Sequence, residues 1–479
     1  MHNCIYEWRG ADINNILDFE KDYKNAKVIK LEENYRSYGN ILKAANSVIQ
    51  HNTNRKGKAL RTEAEDGEKL RYFRADSDKD EARFIASEIL RLKDEGRSFA
   101  DIAVLYRTNA QSRLFEECFI NSIPYKLIGG TRFYERREIK DILSYLKLIN
   151  NPLDDISLKR IINVPKRNIG DTTVQKIQEY ANELELSLYN ALLDVDSIPG
   201  LSGRSVTSVN KFLSLINSFI KIKEDMKVSD LIKSIINDSG YLSGLQKSTL
   251  VEDRSRIENI EELVTSAVQF EESSEDQSLA KYLEDITLVA DVDKYDEDAD
   301  AVTLMTLHSA KGLEFPVVFM AGMENGVFPG NKSFALNSEM EESRRLCYVG
   351  ITRAKERLYL TGAEMRMQYG RHEFHSESDF ILEIPKNLIE QALQRKIAKP
   401  EISRRITFEP DFKSFLNKNT ENRLEESQVK IGSRVKHKLF GKGTVITIDK
   451  SSGTTKLKIA FENMGIKDLI LDMAPLELI

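Results

Sequence analysis

The sequence predicts an α/β protein whose parallel-sheet domain is interrupted by a helical insertion and followed by a small β-barrel. Three observations predict this class. Short β-branched apolar runs alternate with helical periodicity on both sides of a long stretch, residues 136–298, in which helical periodicity stands almost alone. The last residues alternate apolar and polar side chains in short runs. At 479 residues, the chain has the length of about three domains.

The strands of the sheet are predicted from apolar runs of the kind that parallel sheets bury on both faces. These runs are residues 26–31, 101–106, 302–307, 316–320 and 357–361. Helical spacing of apolar residues lies between them, at residues 38–51, 79–93 and 110–121. The alternation of strand and helix is typical of an α/β domain.

The remaining segments differ in pattern. Residues 136–298 predict a helical insertion that ends in an acidic stretch, 291–300, before strands resume at Val302. Residues 386–428 mix charges with Pro and Asn and show little periodicity, which predicts a tether. Residues 429–479 contain turns at Gly441–Gly443 and Ser451–Gly453 between alternating runs, which predicts an SH3-like β-barrel.

Composition restricts the classes of function. The formal charge of −6 removes any whole-molecule argument for nucleic-acid binding, so such binding must come from local patches. Three separated cysteines support neither a disulfide framework nor a cysteine metal site, and they favour a reducing compartment. Without a membrane-length apolar run or a signal-peptide pattern, we expect a soluble, cytoplasmic protein with no membrane partner.

Two segments near the N-terminus carry residue types that bind nucleic acids or nucleotides. Trp8 and Arg9 could stack on a base and meet a phosphate, although a lone Trp is more often a core residue. Tyr35 and Arg36 follow a predicted strand and lead into a helix, where open α/β sheets place their ligands. Taken alone, Arg36 could equally be a surface ion pair.

Two later segments bring further polar groups to the ends of strands. The turn after residues 302–307 contains His308, Ser309 and Lys311, a set suited to cradling a nucleic-acid backbone. Arg353 precedes the last strand, and an arginine fixed at a domain edge can neutralise charge on a transferred phosphoryl group. On a solvated helix face, Arg353 would instead be an ordinary surface charge.

In their order and spacing, these four segments resemble motifs III, IV, V and VI of the UvrD/PcrA/Rep helicases of superfamily 1. Residues 106–113 (YRTNAQSR) and 129–136 (GGTRFYER) resemble the family's motif IVa region and the entry to its 2B domain. The resemblance implies a remnant of RecA-like domain 1A, the 2A domain, the helical 2B domain, a linker and a Tudor-like barrel. The corresponding residues are 1–34 for 1A, 35–135 with 299–385 for 2A, 136–298 for 2B, 386–428 for the linker and 429–479 for the barrel.

The resemblance implies ATP-driven 3′-to-5′ movement on single-stranded DNA and unwinding at single-strand/duplex junctions in repair or replication. Tyr35 would stack on adenine, Glu314 would lie on the ribose side, and Arg36 and Arg353 would meet the γ-phosphate as catalytic residues. The DNA path would be lined by Trp8, Arg9, His308, Ser309 and Lys311.

Two further contacts are implied by the same resemblance. Residues 161–174 (IINVPKRNIGDTTV) resemble a helix-hairpin-helix element that grips duplex DNA, with Lys166, Arg167 and Gly170 as its DNA-binding residues. Asn168 stands where the family has a glycine, and Asn tolerates the left-handed backbone of such a turn better than most residues. The C-terminal barrel resembles a module associated with RNA polymerase contact.

The sequence has no phosphate loop of the form G-x-x-x-x-G-K-[ST] and no strand that ends in paired Asp-Glu. Residues 244–249 and Gly441–Gly443 resemble the loop only in part, and Asn3 stands where motif III has a glutamine. We therefore expect ATP and Mg²⁺ to need a 1A/1B half supplied in cis or in trans, with the Mg²⁺ ligands on that half. A truncated frame, a split gene product and a fragment would all give this pattern.

Two other functions and one metal site compete with the helicase prediction. A non-catalytic protein that binds DNA or RNA polymerase through the insertion and barrel is the main alternative. A RecB-type helicase-nuclease is disfavoured, because no carboxylate-rich nuclease segment follows residue 386. A metal site at His372 and His375 is disfavoured, because no third ligand has suitable spacing.

Overall fold

The computed structural model describes residues 5, 14–53, 59–290, 300–392, 429–430, 433–437, 441–449, 456–461, 465–470 and 476–478. The chain divides into two compact units, Met1–Arg395 and Lys396–Ile479. Trp8, Arg9, Asn3, the acidic residues 291–299 and residues 393–428 of the predicted tether lie outside the described residues.

The first unit is built on an eight-stranded sheet. Its strands are β1 (Leu70–Ser77), β2 (Ile102–Tyr106), β3 (Tyr125–Ile128), β4 (Val302–Thr306), β5 (Phe315–Met320), β6 (Ala354–Gln368), β7 (Arg371–Phe374) and β8 (Ile389–Gln391). The order is β3-β4-β2-β5-β6-β1-β8, and β7 pairs with β6. All pairings are parallel except that of β6 with β7. The predicted α/β class is confirmed.

Sixteen α-helices are present among the described residues. Those of the sheet domain are α1 (Asn14–Leu17), α2 (Phe19–Asp22), α3 (Gly39–Ile49), α4 (Asp78–Asp94), α5 (Ser112–Phe119), α15 (Asn337–Ile351) and α16 (Asp379–Leu382). Those between β3 and β4 are α6 (Arg137–Asn150), α7 (Asp155–Ile161), α8 (Asp171–Glu183), α9 (Leu188–Leu193), α10 (Gly203–Ile222), α11 (Val228–Asp238), α12 (Tyr241–Gln246), α13 (Val251–Ser273) and α14 (Leu279–Ala290). The described part of the chain between β3 and β4 thus contains helices and no strand, as the periodicity predicts.

Helices cover both faces of the sheet. On one face, α3 and α15 pack on the sheet through apolar residues such as Ile41, Val48 and Val349, which are at most 1% exposed. On the other face, α4 and α5 bury residues such as Ile85 and Phe119. Because both faces are covered, the ligand-accessible part of the sheet is the edge formed by the ends of its strands.

The helical insertion has its own apolar core and is fastened to the sheet domain by buried charge. Arg113 of α5 is 1% exposed and donates to Glu262 of α13 at 2.7 Å and to Gln269 at 2.9 Å. Its guanidinium also pairs with Glu117 at 2.9 Å. A buried cation with three acceptors fixes α13 against α5, since breaking such a pair typically costs about 3–5 kcal/mol.

Two segment predictions are wrong. Residues 26–31 contain no strand, and Val28, Ile29 and Leu31 are 46%, 71% and 77% exposed. An apolar run becomes a strand only where a neighbouring strand pairs with it, and β1 to β8 pair among themselves. The tether was predicted from residue 386, but Ile389–Gln391 form β8, which pairs with Leu70–Tyr72.

The second unit is an antiparallel sheet. Its strands are β9 (Arg434–His437), β10 (Gly441–Asp449), β11 (Lys456–Phe461), β12 (Gly465–Ile470) and β13 (Leu476–Leu478), in the order β12-β11-β10-β9-β13. Val435, Val445 and Ile459 form its buried side. The predicted C-terminal β unit is confirmed. In the part of the chain that the structure describes, no helix combines the length and apolarity that crossing a membrane requires.

Candidate nucleotide and DNA site

Arg36 is held in a fixed direction by the turn that precedes α3. The side-chain oxygen of Asn34 accepts from the backbone N–H groups of Arg36 and Ser37, both at 2.9 Å, which closes a tight turn. Ser37 Oγ donates to Ala354 O at 2.6 Å and ties the turn to the first residue of β6. This local geometry directs the Arg36 side chain toward the region between α15 and β6.

Arg36 and Arg353 meet at one residue, Thr352. Arg36 donates to Thr352 O at 3.3 Å, and Arg353 donates to Thr352 Oγ1 at 3.1 Å. Arg353 lies between the end of α15 and the start of β6, and its carbonyl accepts from Phe315 N at 2.9 Å. Two guanidinium groups that are 317 positions apart in sequence (353 − 36) therefore converge on one point.

Arg353 is buried, and its side chain is hydrogen-bonded to uncharged acceptors. It is 4% exposed, and its other donors point to Val349 O and Leu313 O, both at 2.9 Å. Among the described residues, no carboxylate forms an ion pair with it. Burial, with a further contribution from the nearby charge of Arg36, lowers the pKa of Arg353 to about 10. The carboxylate of Glu314 acts on Arg353 only over a distance, because the hydrogen bonds of Arg353 go to uncharged acceptors, and a buried cation held in this way is a favourable position for an anion.

Glu314 neutralises Arg36 rather than Arg353. Its carboxylate accepts from Arg36 Nε at 2.6 Å and pairs with Lys355 Nζ at 2.9 Å. These two hydrogen bonds lower the pKa of Glu314 to about 2. The site thus holds three cations and one carboxylate, and it keeps a net positive charge. Sequence reasoning identified Glu314 but missed Lys355, although Lys355 is only two residues beyond Arg353.

Tyr35 lies next to these charges in the sequence and is 92% exposed. The ring is therefore open to a stacking ligand. Its position beside Arg36 suits a base that stacks while its phosphates approach the guanidinium groups.

The turn after β4 brings the candidate DNA residues to the sheet edge. Ser309 N donates to Thr306 Oγ1 at 3.2 Å, while His308 is half-buried and Lys311 is exposed. Gly129, which follows β3, has φ +78°, and a Cβ at this position would lie 2.7 Å from Ser309 Oγ. The turns that follow β3 and β4 therefore pack closely, and residue 129 must be glycine.

Arg107 lies at the same edge, after β2, and sequence reasoning gave it no role. Burial lowers the pKa of Arg107, and the charge of Glu258 partly offsets this effect. The backbone N–H of Arg107 donates to Gln111 Oε1 at 2.9 Å. The signal that could have found it is the segment YRTNAQSR, which sequence analysis recognised as a motif without assigning residues.

The candidate duplex-binding hairpin lies between α7 and α8. Lys166 and Gly170 are exposed there, and Asn168 has φ +61°, the left-handed conformation that the sequence predicted. Arg167 is different, because its guanidinium donates to carbonyls inside the hairpin. The predicted hairpin residues are thus brought together, but not with the same orientation.

Several sequence features lie apart from this site. Of the two segments that partly resemble a phosphate loop, residues 244–249 begin within α12, and Gly441–Gly443 lie within β10. His372 Nε2 lies 3.2 Å from Glu272, whereas His375 Nδ1 lies 2.9 Å from Asn325 O, so the two histidines have different partners. Within the described ranges, no group of three metal-ligating side chains is found.

Comparisons with known proteins match both units. The UvrD-like helicase C-terminal domain matches residues 29–365, and the PcrA/UvrD tudor domain matches residues 431–477. The chain is 45% identical over 479 residues to the ATP-dependent DNA helicase PcrA of Staphylococcus epidermidis, which covers 98% of this chain and 65% of that protein.

Two other relatives give the same coverage. The identity to the ATP-dependent DNA helicase PcrA of Bacillus subtilis is 45% over 488 residues, and to that of Staphylococcus aureus it is 44% over 485 residues. Each match covers 99% of this chain and 65% of the relative. The chain therefore spans about two thirds of the length of the relatives that it matches.

Proposed function

The chain belongs to the UvrD-like helicase family, and from this premise we propose that it is the part of an ATP-dependent 3′-to-5′ DNA helicase that carries domains 2A and 2B and the tudor unit. We further propose that the enzyme translocates on single-stranded DNA and unwinds junctions during repair or replication in the bacterial cytoplasm. The phosphate loop and the Mg²⁺ ligands would come from a half that this sequence does not contain.

The observation that carries the proposal is the convergence of Arg36 and Arg353 at Thr352. Arg353 is a buried cation whose hydrogen bonds among the described residues go to uncharged acceptors, and this supports its assignment to the γ-phosphate of ATP. Tyr35 would stack on the adenine, and Glu314 would lie beside the ribose. The bound nucleotide supplies the phosphoanhydride bond, while these residues orient it and neutralise its charge.

DNA would follow the sheet edge at which β2, β3 and β4 end. The packed turns there present His308, Ser309 and Lys311, and Arg107 adds a further cation to this edge. Trp8 and Arg9 would continue the path, and Lys166 would contact the duplex. Phosphate contacts of this kind give affinity without sequence preference, which suits an enzyme that moves along any DNA.

Reconstitution tests the proposal. The chain is fused behind the part of the Bacillus subtilis relative that it does not span, and the hydrolysis of Mg-ATP is measured with and without single-stranded DNA. We expect DNA-stimulated hydrolysis and unwinding of duplexes with a 3′ tail but not of those with a 5′ tail. Arg36→Ala and Arg353→Ala should each lower kcat by about 10³, the effect typical of arginines that serve the γ-phosphate.

Two controls bound the interpretation. Arg97→Ala removes a surface ion pair with Glu356 and should leave kcat within about twofold. The chain without the added half should not hydrolyse ATP, because it has no segment that fits G-x-x-x-x-G-K-[ST]. Turnover by the chain alone that Arg353→Ala abolishes, or a fused enzyme insensitive to both substitutions, would show the proposal to be wrong.

For the second unit, we propose a contact with RNA polymerase, based on the match to the PcrA/UvrD tudor domain. The same unit would serve in the non-catalytic alternative. Removal of residues 429–479 should abolish retention of purified RNA polymerase while leaving DNA binding intact. Retention that survives the deletion would assign the contact to the first unit.

A further inference from the structure

In the loop between α7 and α8, residues 162–170, the amide side chain of Asn163 forms hydrogen bonds with the backbone of the loop. Asn163 Oδ1 accepts from the backbone N–H of Arg167 at 2.7 Å and from that of Ile169 at 3.3 Å. Ile169 is 1% exposed and anchors the far end of the loop in the apolar core. One uncharged side chain therefore satisfies two backbone donors on either side of Asn168, the residue with positive φ.

The Arg167 guanidinium completes this internal scaffold. It donates to Ile161 O at 3.0 Å and to Pro165 O at 3.2 Å, and it also donates to the hydroxyl of Tyr145. The same Tyr145 hydroxyl donates to Val164 O at 2.6 Å. These bonds direct the guanidinium at the backbone of its own loop.

Aromatic rings fix the plane of this guanidinium. Its central carbon lies 5.4 Å from the ring centre of Phe212 on α10 and 5.9 Å from that of Tyr145 on α6. Both distances allow cation–π attraction. Arg167 therefore links the loop to two other helices of the insertion, and a lysine could not reproduce its planar, multiply bonded geometry.

The outward side of the loop has different chemistry. Lys166, Asn168 and Gly170 are exposed, and a Cβ placed on Gly170 would meet nothing within 4 Å. Lys166 is the cation of this side, and the open space at Gly170 lets a ligand approach the backbone closely. The loop thus separates an inner scaffold, Asn163, Arg167 and Tyr145, from an outer surface that includes Lys166.

We infer that Arg167 and Asn163 are positioning residues that shape the hairpin for duplex DNA, whereas Lys166 is its phosphate-contacting cation. This inference rests on the proposed function, because that proposal supplies the duplex. It reassigns Arg167, whose charge alone suggests a phosphate ligand. If the inference holds, the geometry of Arg167 matters and its charge does not.

The test measures the Kd of the full chain for a fluorescein-labelled 20-base-pair duplex and for a single-stranded 20-mer over a range of salt concentrations. Lys166→Ala should weaken duplex binding about tenfold and reduce the slope of log K against log salt by about 0.9, the value for one lost phosphate contact. Arg167→Lys and Asn163→Ala keep the charge of the protein, yet each should weaken duplex binding at least about tenfold. Single-strand binding should stay within about twofold of the parent for all three.

Two further variants separate the effect of the Arg167 hydrogen bonds from a general effect of charge on DNA binding. Tyr145→Phe removes one acceptor of Arg167 without changing charge and should weaken duplex binding about threefold. Lys221→Ala removes an exposed charge from the last turn of α10, nine residues beyond Phe212, and should bind like the parent. Circular dichroism and thermal unfolding check each variant, and if Arg167→Lys fails to fold, Asn163→Ala and Tyr145→Phe decide the matter.

The outcomes distinguish a failure of the positioning role of Arg167 from a failure of the hairpin as a duplex site. If Arg167→Lys binds duplex like the parent while Arg167→Ala does not, Arg167 is a phosphate ligand and the inference is wrong. If Asn163→Ala and Tyr145→Phe both bind duplex like the parent, the inner scaffold has no role in binding. If the parent and Lys166→Ala bind duplex equally or not at all, the hairpin is not a duplex site, and this part of the proposed function fails with the inference.

Discussion

Replacing Arg353 by methionine should leave the protein as stable as before, or more stable, while removing its proposed catalytic function. Burial and the charge of Arg36 lower the pKa of Arg353 well below the ordinary value of an arginine side chain, to about 10. Since one pKa unit corresponds to about 1.4 kcal/mol, holding this cation costs the folded state on the order of 3 kcal/mol. Methionine keeps most of the apolar stem and removes that cost.

The substitution also removes hydrogen bonds, and this loss sets the net result. Val349 O would still accept from Thr352 Oγ1 at 3.0 Å, but Leu313 O would lose its bond from Arg353. One unsatisfied buried acceptor costs about 1–3 kcal/mol. We therefore expect Arg353→Met to change the free energy of unfolding by between about 0 and +2 kcal/mol.

Arg344 on α15, the helix that precedes Arg353, is the matched control. It donates to both carboxylate oxygens of Glu383, at 3.0 and 2.8 Å, and to Asn52 Oδ1 at 2.7 Å. The side chains of Arg344 and Glu383 are only 11% and 13% exposed. Arg344→Met would leave the Glu383 carboxylate buried without this partner, and it should lower the free energy of unfolding by about 3 kcal/mol.

Urea unfolding of the full chain at 25 °C, followed by far-ultraviolet circular dichroism, measures both effects. The signal is dominated by the helices of the first unit, where both substitutions lie. A loss of stability in Arg353→Met as large as that in Arg344→Met would refute this reasoning, because it would show that Arg353 stabilises the fold as an ion-paired arginine does.

Substitutions at three other residues test the roles of buried charge and backbone strain through the free energy of unfolding. Burial raises the pKa of Glu261 to about 7, so Glu261 binds a proton more tightly in the folded protein than in the unfolded chain. The stability that this proton contributes to the fold is therefore complete below pH 4.5, and it is lost as pH rises through 7. After discounting for partial exposure, Glu261→Gln should stabilise the protein by about 1 kcal/mol at pH 8 and have little effect at pH 4.5; equal effects at both pH values would contradict this. Asn168 has φ +61°, so Asn168→Ala should cost about 1 kcal/mol while Asn168→Gly costs less than about 0.5, and the reverse order would show that the turn is not strained. Arg366 bridges Glu81 at 2.6 Å and Glu324 at 2.5 Å, both nearly fully buried, so Arg366→Met should lower the free energy of unfolding by about 3–5 kcal/mol, and a loss below 1 kcal/mol would contradict a buried ion-pair triad.

The sequence predicts a strand best where its apolar run is not interrupted by charged residues. β2, β4 and β5 are continuous apolar runs buried on both faces, and they were recognised for that reason. β1 was missed because Arg71, Arg74 and Asp76 interrupt its apolar residues. These charges lie on a strand near the edge of the sheet, where pairing with β6 and β8 rather than local pattern determines the structure.

Residues 26–31 show the opposite error, because a strand was predicted there and none forms. Their apolar run satisfies the local pattern of a buried strand, yet Ile29 is 71% exposed. Strand formation depends on hydrogen bonds to a neighbour, and a single segment carries no information about whether that neighbour is present.

At the candidate site, the sequence predicted which residues converge but not how they are bonded. Motif order in the sequence predicts that Arg36 and Arg353 act together, and the structure places both beside Thr352. The Glu314–Lys355 pair and the inward direction of Arg167 were not predicted. The first depends on a carboxylate from another part of the chain, and the second depends on how the backbone of residues 161–165 folds; residue type and spacing reveal neither.

The central claim is that Arg36 and Arg353 act as a unit on one triphosphate, and a double-mutant cycle tests it most directly. The kcat for ATP hydrolysis is measured for the fused enzyme, for Arg36→Ala, for Arg353→Ala and for the double variant. Groups that act on one transition state are strongly non-additive, so we expect each single variant to lose about 10³ and the double variant to lose less than about tenfold more. Losses that multiply to about 10⁶, or single variants within twofold of the parent, would contradict a shared phosphate.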